Sequence, residues 1–141
     1  MKPQLTLIMA LLFALNSWGQ SLSEKEAVLK KCIELPQVQE VVSENMDNKV
    51  YVMQHSVSLD PEINLKNSDQ ELVLMSKKEI HNQNVDTFLL FEKFNITLKE
   101  ADIEFFVYQD FRTSSKTDKV TLQMTKVNSN WTISSKNHER K

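Results

Sequence analysis

Glycine is almost absent from this chain of 141 residues, and the single glycine, Gly19, lies near the N-terminus. Glycine adopts positive φ without strain and lets a backbone approach a bound phosphate closely. The Walker A loop, the dinucleotide-binding fingerprint and the glycine-flanked nucleophile elbow all depend on such residues. The sequence therefore excludes these three motifs, and we predict no cofactor.

Residues 1–19 have the pattern of a secretory signal peptide. Lys2 supplies a positive charge, a run of apolar residues follows it, and Ser17 and Gly19 are small residues at the two positions that a signal peptidase recognises. The apolar run is shorter than the ~20 residues that a membrane-spanning helix needs. We expect cleavage after Gly19, which leaves residues 20–141 as one soluble domain in a bacterial periplasm or outside the cell.

The predicted mature chain has the composition of a globular domain. Without Lys2, 16 of the 17 basic residues remain against 19 acidic ones, a net charge of −3. This balance gives no support for binding to nucleic acid or to an anionic membrane surface. The only cysteine, Cys32, cannot form an internal disulfide, and we expect it to pack as a small hydrophobic residue.

Helical patterns come first in the mature chain. Ser23 and Glu26 have the spacing of a capping box, and residues 28–33 place apolar side chains at helical intervals. Pro36 interrupts the helix, since proline cannot donate to the backbone ladder. A second apolar stripe follows at residues 38–42. We therefore predict an N-terminal helix that is broken at Pro36.

From Lys49 onwards the apolar period changes from about four residues to two, which is typical of strands. Strand patterns cover residues 49–59, 72–75, 101–111, 120–125 and 131–133. Residues 85–97 fit a strand or a helix, and their aromatic side chains favour a strand. Ser76 and Glu79 form a second capping box, which indicates one helical turn as far as Asn82.

Polar segments separate these strands. We expect loops at residues 60–70 and 112–119, a turn at residues 128–130, and a polar C-terminal tail at residues 134–141. Consecutive strands joined by short turns form an antiparallel meander. The predicted fold class is therefore α+β, with the broken helix packed on a curved antiparallel sheet.

This order of elements resembles the cystatin-like and nuclear-transport-factor-two-like rolls, in which an N-terminal helix lies against a curved antiparallel sheet. The strand Val120-x-Leu122-x-Met124, its turn, and the closing Trp131-x-Ile133 carry the similarity. The Gln-Val-x-Val-x-Gly loop of cystatin inhibitors is missing, and no motif identifies the paired Asp and His of the roll enzymes. The resemblance implies a roll-like fold and leaves the function open.

Few residues have a pattern suited to catalysis or metal binding. His55 falls on the apolar phase of its predicted strand, where desolvation could tune a general base, and Asp86 or Asp102 could assist it. No motif gives His55 a hydrogen-bonded partner that would make it a base, and a histidine with satisfied hydrogen bonds or one exposed at a sheet edge is the simpler interpretation. His81 and His138 lack the spacing of metal ligands, so we predict no metal site.

One face of a predicted strand combines acidic and aromatic side chains, which we name the acidic-aromatic strip. Its members are Asp102, Glu104, Phe106, Tyr108 and Asp110. Such a strip could stack on a sugar or bind a basic peptide, although the solvent-facing side of an antiparallel sheet explains it as well. We predict an exported, non-catalytic module that binds a protein, glycan or small ligand; the alternative is a small hydrolase or isomerase that uses His55.

Overall fold

The computed structural model describes residues 21–43, 47–65, 70–109 and 116–140. The predicted signal peptide and Asp110 of the acidic-aromatic strip lie outside these ranges. Within them, the chain is an α+β protein in which a few short helices accompany one open, mostly antiparallel sheet.

Two helices open the described chain, two strands and a short helix follow, and the last four strands come directly after one another. The elements are α1 (Leu22–Ile33), α2 (Pro36–Val42), β1 (Lys49–Gln54), β2 (Glu71–Ser76), α3 (Lys77–Asn82), β3 (Phe88–Ile96), β4 (Glu100–Gln109), β5 (Lys116–Val127) and β6 (Asn130–Arg140). The six strands form one sheet in the order β2-β1-β3-β4-β5-β6. The strand expected around residues 85–97 is confirmed as β3.

The sheet is antiparallel from β3 to β6, but β1 runs parallel to both of its neighbours, β2 and β3. The prediction of a purely antiparallel meander is therefore wrong for β1 and β2. Parallel neighbours need a crossover connection that carries the chain back to the same end of the sheet. The segment between β1 and β2 and the helix α3 between β2 and β3 provide the two crossovers.

The N-terminal helix α1 begins two residues earlier than the predicted capping box, whose first residue is Ser23. Its N-cap is Ser21, whose hydroxyl accepts a 3.3 Å hydrogen bond from the backbone N–H of Glu24. Glu26 instead accepts a 3.2 Å hydrogen bond from the backbone N–H of Asn64, in the segment after β1. Helix α2 begins at Pro36. Proline has no backbone N–H, but this costs no hydrogen bond here because the first N–H groups of a helix have no intrahelical acceptor.

The core fills the space between the two N-terminal helices and one face of the sheet, which we name the inner face. Its side chains come from α1, α2 and the strands from β3 to β6, together with Val50 and Val52 of β1 and with Leu59, Ile63 and Leu65 of the segment that follows β1. The large residues Phe91 and Phe105 are fully buried there, with ring centroids 5.0 Å apart. Trp131 of β6 belongs to the same cluster and is 5% exposed.

The inner phase of β1 is the reverse of the predicted one, which placed His55 on the apolar side together with Tyr51 and Met53. Val50 and Val52 enter the main core, whereas Tyr51 and Met53 face the opposite, outer side of the sheet. Both sides of β1 are covered by other elements, so apolar residues occupy both phases and alternation cannot identify the inner one. The strand also ends earlier than predicted, at Gln54.

The C-terminal segment that reads as a polar tail is a strand. β6 continues to Arg140 and pairs with β5 as far as Asp118, and β5 itself begins at Lys116, inside the predicted loop. Most side chains of β6 after Trp131 are exposed or half-buried, so the strand has no apolar alternation that the sequence could show. Backbone pairing with β5 defines it instead.

Asparagine takes the place of glycine at the sharp turns. Among the described residues, positive φ occurs at Asn48, Asn84, Asn128 and Ser129, with values of 56°, 57°, 49° and 67°. Asparagine tolerates this region better than other side chains do. The pair Asn128 and Ser129 forms the two-residue connection of the β5–β6 hairpin, which confirms the predicted turn.

Candidate binding groove on the outer face of the sheet

The described part of the acidic-aromatic strip lies on the outer face of β4, as its alternation predicts. Along this strand, alternate residues from Ala101 to Val107 are buried in the core, and the four strip residues between and after them are half-buried. These residues are Asp102, Glu104, Phe106 and Tyr108. The strip therefore has one end rich in carboxylates and one end rich in aromatic rings.

The carboxylates of the strip are paired with lysines of the neighbouring strands. Asp102 Oδ2 lies 2.7 Å from Lys93 Nζ, and Glu104 Oε1 lies 3.6 Å from Lys119 Nζ. The hydrogen bond and charge of Asp102 raise the pKa of Lys93. A basic peptide would compete with both lysines for these carboxylates.

The aromatic end of the strip continues onto β3. The rings of Tyr108 and Phe88 stack with centroids 4.9 Å apart and an interplanar angle of 22°. Phe106 lies next along β4, 6.0 Å from Tyr108, and Lys119 Nζ lies 5.8 Å from the centroid of the Phe106 ring. Burial, and secondarily the charge of Glu92, raises the pKa of Tyr108.

Helix α3 packs on the outer face beside these rings. The predicted capping box is confirmed: Ser76 Oγ accepts a 3.1 Å hydrogen bond from Glu79 N–H, and Glu79 Oε1 accepts one from Ser76 N–H. With its start defined in this way, the helix places Ile80 against Met75 and Phe88 in a second, smaller apolar cluster. Ile80 is 5% exposed, so this side of the helix is buried on the sheet.

A groove opens between α3 and the aromatic end of the strip, and we name it the α3 groove. It has a volume of about 310 Å³ and is lined by Met53, Lys77, Ile80, His81, Val85, Phe88 and Tyr108. Most of this lining is apolar, and the ionisable groups are Lys77 and His81 of α3 and the phenol of Tyr108. Apolar walls with a few polar groups are typical of small-molecule sites.

Two other depressions differ from the α3 groove in composition. One, of about 370 Å³, lies at the carboxylate end of the strip, where Asn95, Asp102 and Gln123 are register neighbours. Another, of about 340 Å³, lies between α1 and the β5–β6 turn and includes Lys30 and Lys31. Polar and apolar surface contribute about equally to both, so neither has the predominantly apolar walls of the α3 groove.

The candidate catalytic residues are not joined by contacts in the described ranges. His55 is exposed and follows the end of β1, so its predicted position on the apolar phase of a strand is wrong. Among the described residues, no hydrogen bond or ion pair links His55 to Asp86 or Asp102, and Asp102 is paired with Lys93. Asp86 lies half-buried in the connection between α3 and β3.

The remaining candidate residues occupy separate places. His138 Nε2 lies 3.5 Å from Asp118 Oδ2, at the end of the β5–β6 hairpin that is remote from the turn. Cys32 is fully buried, and burial raises the pKa of its thiol. In the ranges that the structure describes, no three His, Cys, Asp or Glu side chains are grouped as metal ligands, and no helix is long and apolar enough to cross a membrane.

Sequence reasoning found Tyr108 but missed the rest of the groove. The missed walls are Met53, Ile80, Val85 and Phe88, which come from β1, α3, the following connection and β3. One signal was present: β1 carries apolar residues on both phases, which indicates that something covers its second face. The sequence does not show which element provides that cover.

Comparisons with known proteins contribute no family or relative to this description. The chain matches no protein family, no curated protein and no solved structure. Function is therefore inferred from the geometry of the α3 groove and the strip.

Proposed function

We propose that this protein is an exported, non-catalytic binding module that holds a small ligand in the α3 groove. The observation that carries the proposal is the apolar concavity formed by Met53, Ile80, Val85, Phe88 and Tyr108, with polar groups only at its margin. Burial of apolar ligand surface in such a site provides binding energy, and a few polar groups provide orientation.

The contacts of the groove favour binding over catalysis. A general base needs a partner within hydrogen-bonding distance that orients it or takes part in proton transfer. Among the described residues, His81 has no side-chain hydrogen bond or ion pair, and the groove lining contains no carboxylate. The hydrolase or isomerase alternative has no comparable support, because His55 lies outside the groove lining.

Export and the roll-like fold are further parts of the proposal. The signal-peptide pattern of residues 1–19 supports export to the periplasm or beyond. The packing of α1 and α2 on the inner face supports a roll in which a broken N-terminal helix lies against a curved sheet. In such a roll the α3 groove lies on the outer face of the sheet, opposite the helices α1 and α2.

A ligand screen on the mature chain tests the binding function. Small organic compounds are screened for an increase in thermal melting temperature, and Val85→Phe is the test variant because a phenyl ring at this half-buried position fills the groove. Gln123→Phe is the matched control, since Gln123 is an exposed residue of the outer face at the other end of the sheet. We expect compounds that stabilise the wild type and the control but not Val85→Phe.

The chemical fate of each bound compound separates the module from an enzyme. We expect every compound to be recovered unchanged after prolonged incubation with the protein. Conversion of a compound by the wild type, abolished by His55→Ala, would support the hydrolase or isomerase alternative instead. Compounds that stabilise wild type and Val85→Phe equally would show that the ligand lies elsewhere.

A further inference from the structure

We infer that the ligand of the α3 groove is a small amphipathic organic anion, an inference that rests on the proposed binding function. Its flat apolar body lies in the groove against the half-buried side chains of Met53, Val85 and Tyr108, with the buried Ile80 and Phe88 beneath it. Its anionic head lies at the margin of the groove, beside Lys77 and His81. Three observations support this: the geometry of α3, the charges of the outer face, and the shape of the groove.

The geometry of α3 places two of its three basic side chains, Lys77 and His81, at one margin of the groove. Lys77, Ile80 and His81 have the spacing i, i+3, i+4, which puts them on one face of a helix. Ile80 is buried against the sheet. Lys77 and His81, which precede and follow it along the same face of the helix, are exposed and line the groove. Two nitrogen donors therefore border one side of an apolar concavity.

The ion pairs of the outer face distinguish Lys77 and His81 from Lys93 and Lys119, the two lysines beside the strip. Lys93 and Lys119 are paired with strip carboxylates, at 2.7 Å and 3.6 Å. Lys77 and His81 have no side-chain hydrogen bond or ion pair with any residue that the structure describes. The α3 carboxylate nearest to them, Glu79, is engaged at the helix cap.

Charge also sets the orientation of the ligand in the groove. Lys77 and His81 border the groove on the α3 side, and the rings of Phe88 and Tyr108 form the wall on the side of the sheet. An anionic head is favoured beside the two nitrogen donors, where it has electrostatic partners. The apolar body then points towards the strip.

The shape of the groove favours a flat body of limited size. Phe88 and Tyr108 stack at 22° and form an aromatic wall, and the thioether of Met53 is a polarisable group that packs well against rings. The volume of about 310 Å³ lies at the small end of ligand sites. A fused bicyclic ring with one carboxylate or sulfonate matches these walls.

A matched pair of probes tests the inference. 2-Naphthoate and 2-naphthamide have the same ring and nearly the same size, but only the first is an anion. Dissociation constants are measured by NMR titration of the mature chain, with backbone shifts of Ile80, Val85 and Phe88 as the signature of the groove. We expect naphthoate to bind at least about fivefold more tightly than naphthamide, as one exposed ion pair with a charged hydrogen bond provides.

The variants identify the source of that preference. In the double variant Lys77→Gln with His81→Gln, we expect the ratio of the two dissociation constants to fall to about one, while naphthamide binding stays unchanged. Lys78→Gln is the control, because Lys78 is an exposed neighbour on the same helix that does not line the groove. Its ratio should equal that of the wild type.

Three results would contradict the inference, and each has a different consequence for the proposed function. Equal binding of the two probes to the wild type, at shifted groove residues, would overturn the anionic head and leave the binding module intact. Failure of both probes to shift any groove residue would overturn the anionic ligand together with the proposed function. A preference that survives in the double variant would place the head elsewhere.

Discussion

The indole N–H of Trp131 donates a 2.8 Å hydrogen bond to Glu24 Oε2, and these residues are 107 positions apart. The other carboxylate oxygen of Glu24 accepts a hydrogen bond from Lys126 Nζ. One side chain in the first turn of α1 therefore joins both strands of the β5–β6 hairpin. Since a buried indole N–H is costly to leave unpaired, this hydrogen bond holds the first turn of α1 against the β5–β6 hairpin.

Glutamine at position 24 should weaken this junction in a pH-dependent way. The hydrogen bond from Lys126 and, to a smaller extent, the one from Trp131 lower the pKa of Glu24, against desolvation. Because the folded-state pKa lies below the ordinary value of 4.5, the stabilisation is complete above pH 4.5 and is lost as the pH falls through the folded-state pKa. We expect Glu24→Gln to cost about 1 kcal/mol of unfolding free energy at neutral pH.

Urea denaturation at a series of pH values measures this effect, with the fluorescence of Trp131 as the signal. The difference between wild type and Glu24→Gln should shrink below pH 4.5. Glu34→Gln is the control, since Glu34 forms an exposed pair with Lys30 at 3.8 Å and such pairs contribute little. A difference that stays constant into the acid range would contradict a charged role for Glu24.

Truncation of Trp131 should be far more damaging than truncation of Phe106. Trp131 is 5% exposed within the main core, whereas Phe106 is half-buried on the outer face. We expect Trp131→Ala to lower the free energy of unfolding by ~3–5 kcal/mol, comparable to much of the stability of a small domain. Circular dichroism in urea measures both variants. Equal midpoints for Trp131→Ala and the wild type would mean that the sheet is oriented the other way round.

The inner face of the sheet could be predicted where only one side of a strand is covered. On β4 and β5, apolar residues alternate strictly with polar or half-buried ones, and the structure buries the predicted set, from Ala101 to Val107 and from Val120 to Met124. Trp131 and Ile133 follow the same phase. In these strands the alternation of apolar and polar residues identifies the buried face, because the other face is largely open to solvent.

Apolar alternation does not identify the inner face of a strand that is covered on both faces, as β1 is, or exposed on both, as most of β6 is. β1 packs against the core through Val50 and Val52 and against α3 through Tyr51 and Met53, so its phase could not be read. The α3 groove was missed for this reason, because its walls come from elements whose order in the sheet depends on parallel pairing. Local patterns within a chain do not encode which distant strand becomes a neighbour.

Cys32 should be inert in the folded protein. It is fully buried on α1, and burial raises the pKa of its thiol, so very little of the reactive thiolate forms. We expect a thiol reagent to modify the native protein only at the rate at which it opens, and the urea-unfolded chain at the rate of a free thiol. Rapid native labelling at neutral pH would contradict this packing.

Processing of the N-terminus is a prediction from the sequence alone. Ser17 and Gly19 form the small-x-small site after the apolar run, so the exported species should begin at Gln20. Intact mass and N-terminal sequencing of the protein recovered from outside the cytoplasm check this. A lipid-modified chain beginning at Cys32 would contradict it.

A deletion can test whether the last residues of the chain are a solvated tail or part of strand β6. Residues 136–140 pair with β5 in register, from Leu122 opposite Lys136 to Asp118 opposite Arg140. Deleting residues 136–141 should lower the free energy of unfolding by a few kcal/mol, at ~1 kcal/mol for each backbone hydrogen bond lost. Urea midpoints measure the loss, and hydrogen exchange at Val120 and its neighbours locates it.

A pair of substitutions separates backbone pairing from side-chain effects in this strand. His138→Ser with Arg140→Ser keeps the chain in place and removes the two exposed side chains that contact Asp118, so we expect a change within about 1 kcal/mol. If residues 134–141 were a solvated tail, the deletion would be as harmless as this double substitution. A large loss on deletion, with little change on substitution, is the result that backbone pairing requires, because the ladder to β5 depends on the N–H and C=O groups of β6 rather than on its side chains.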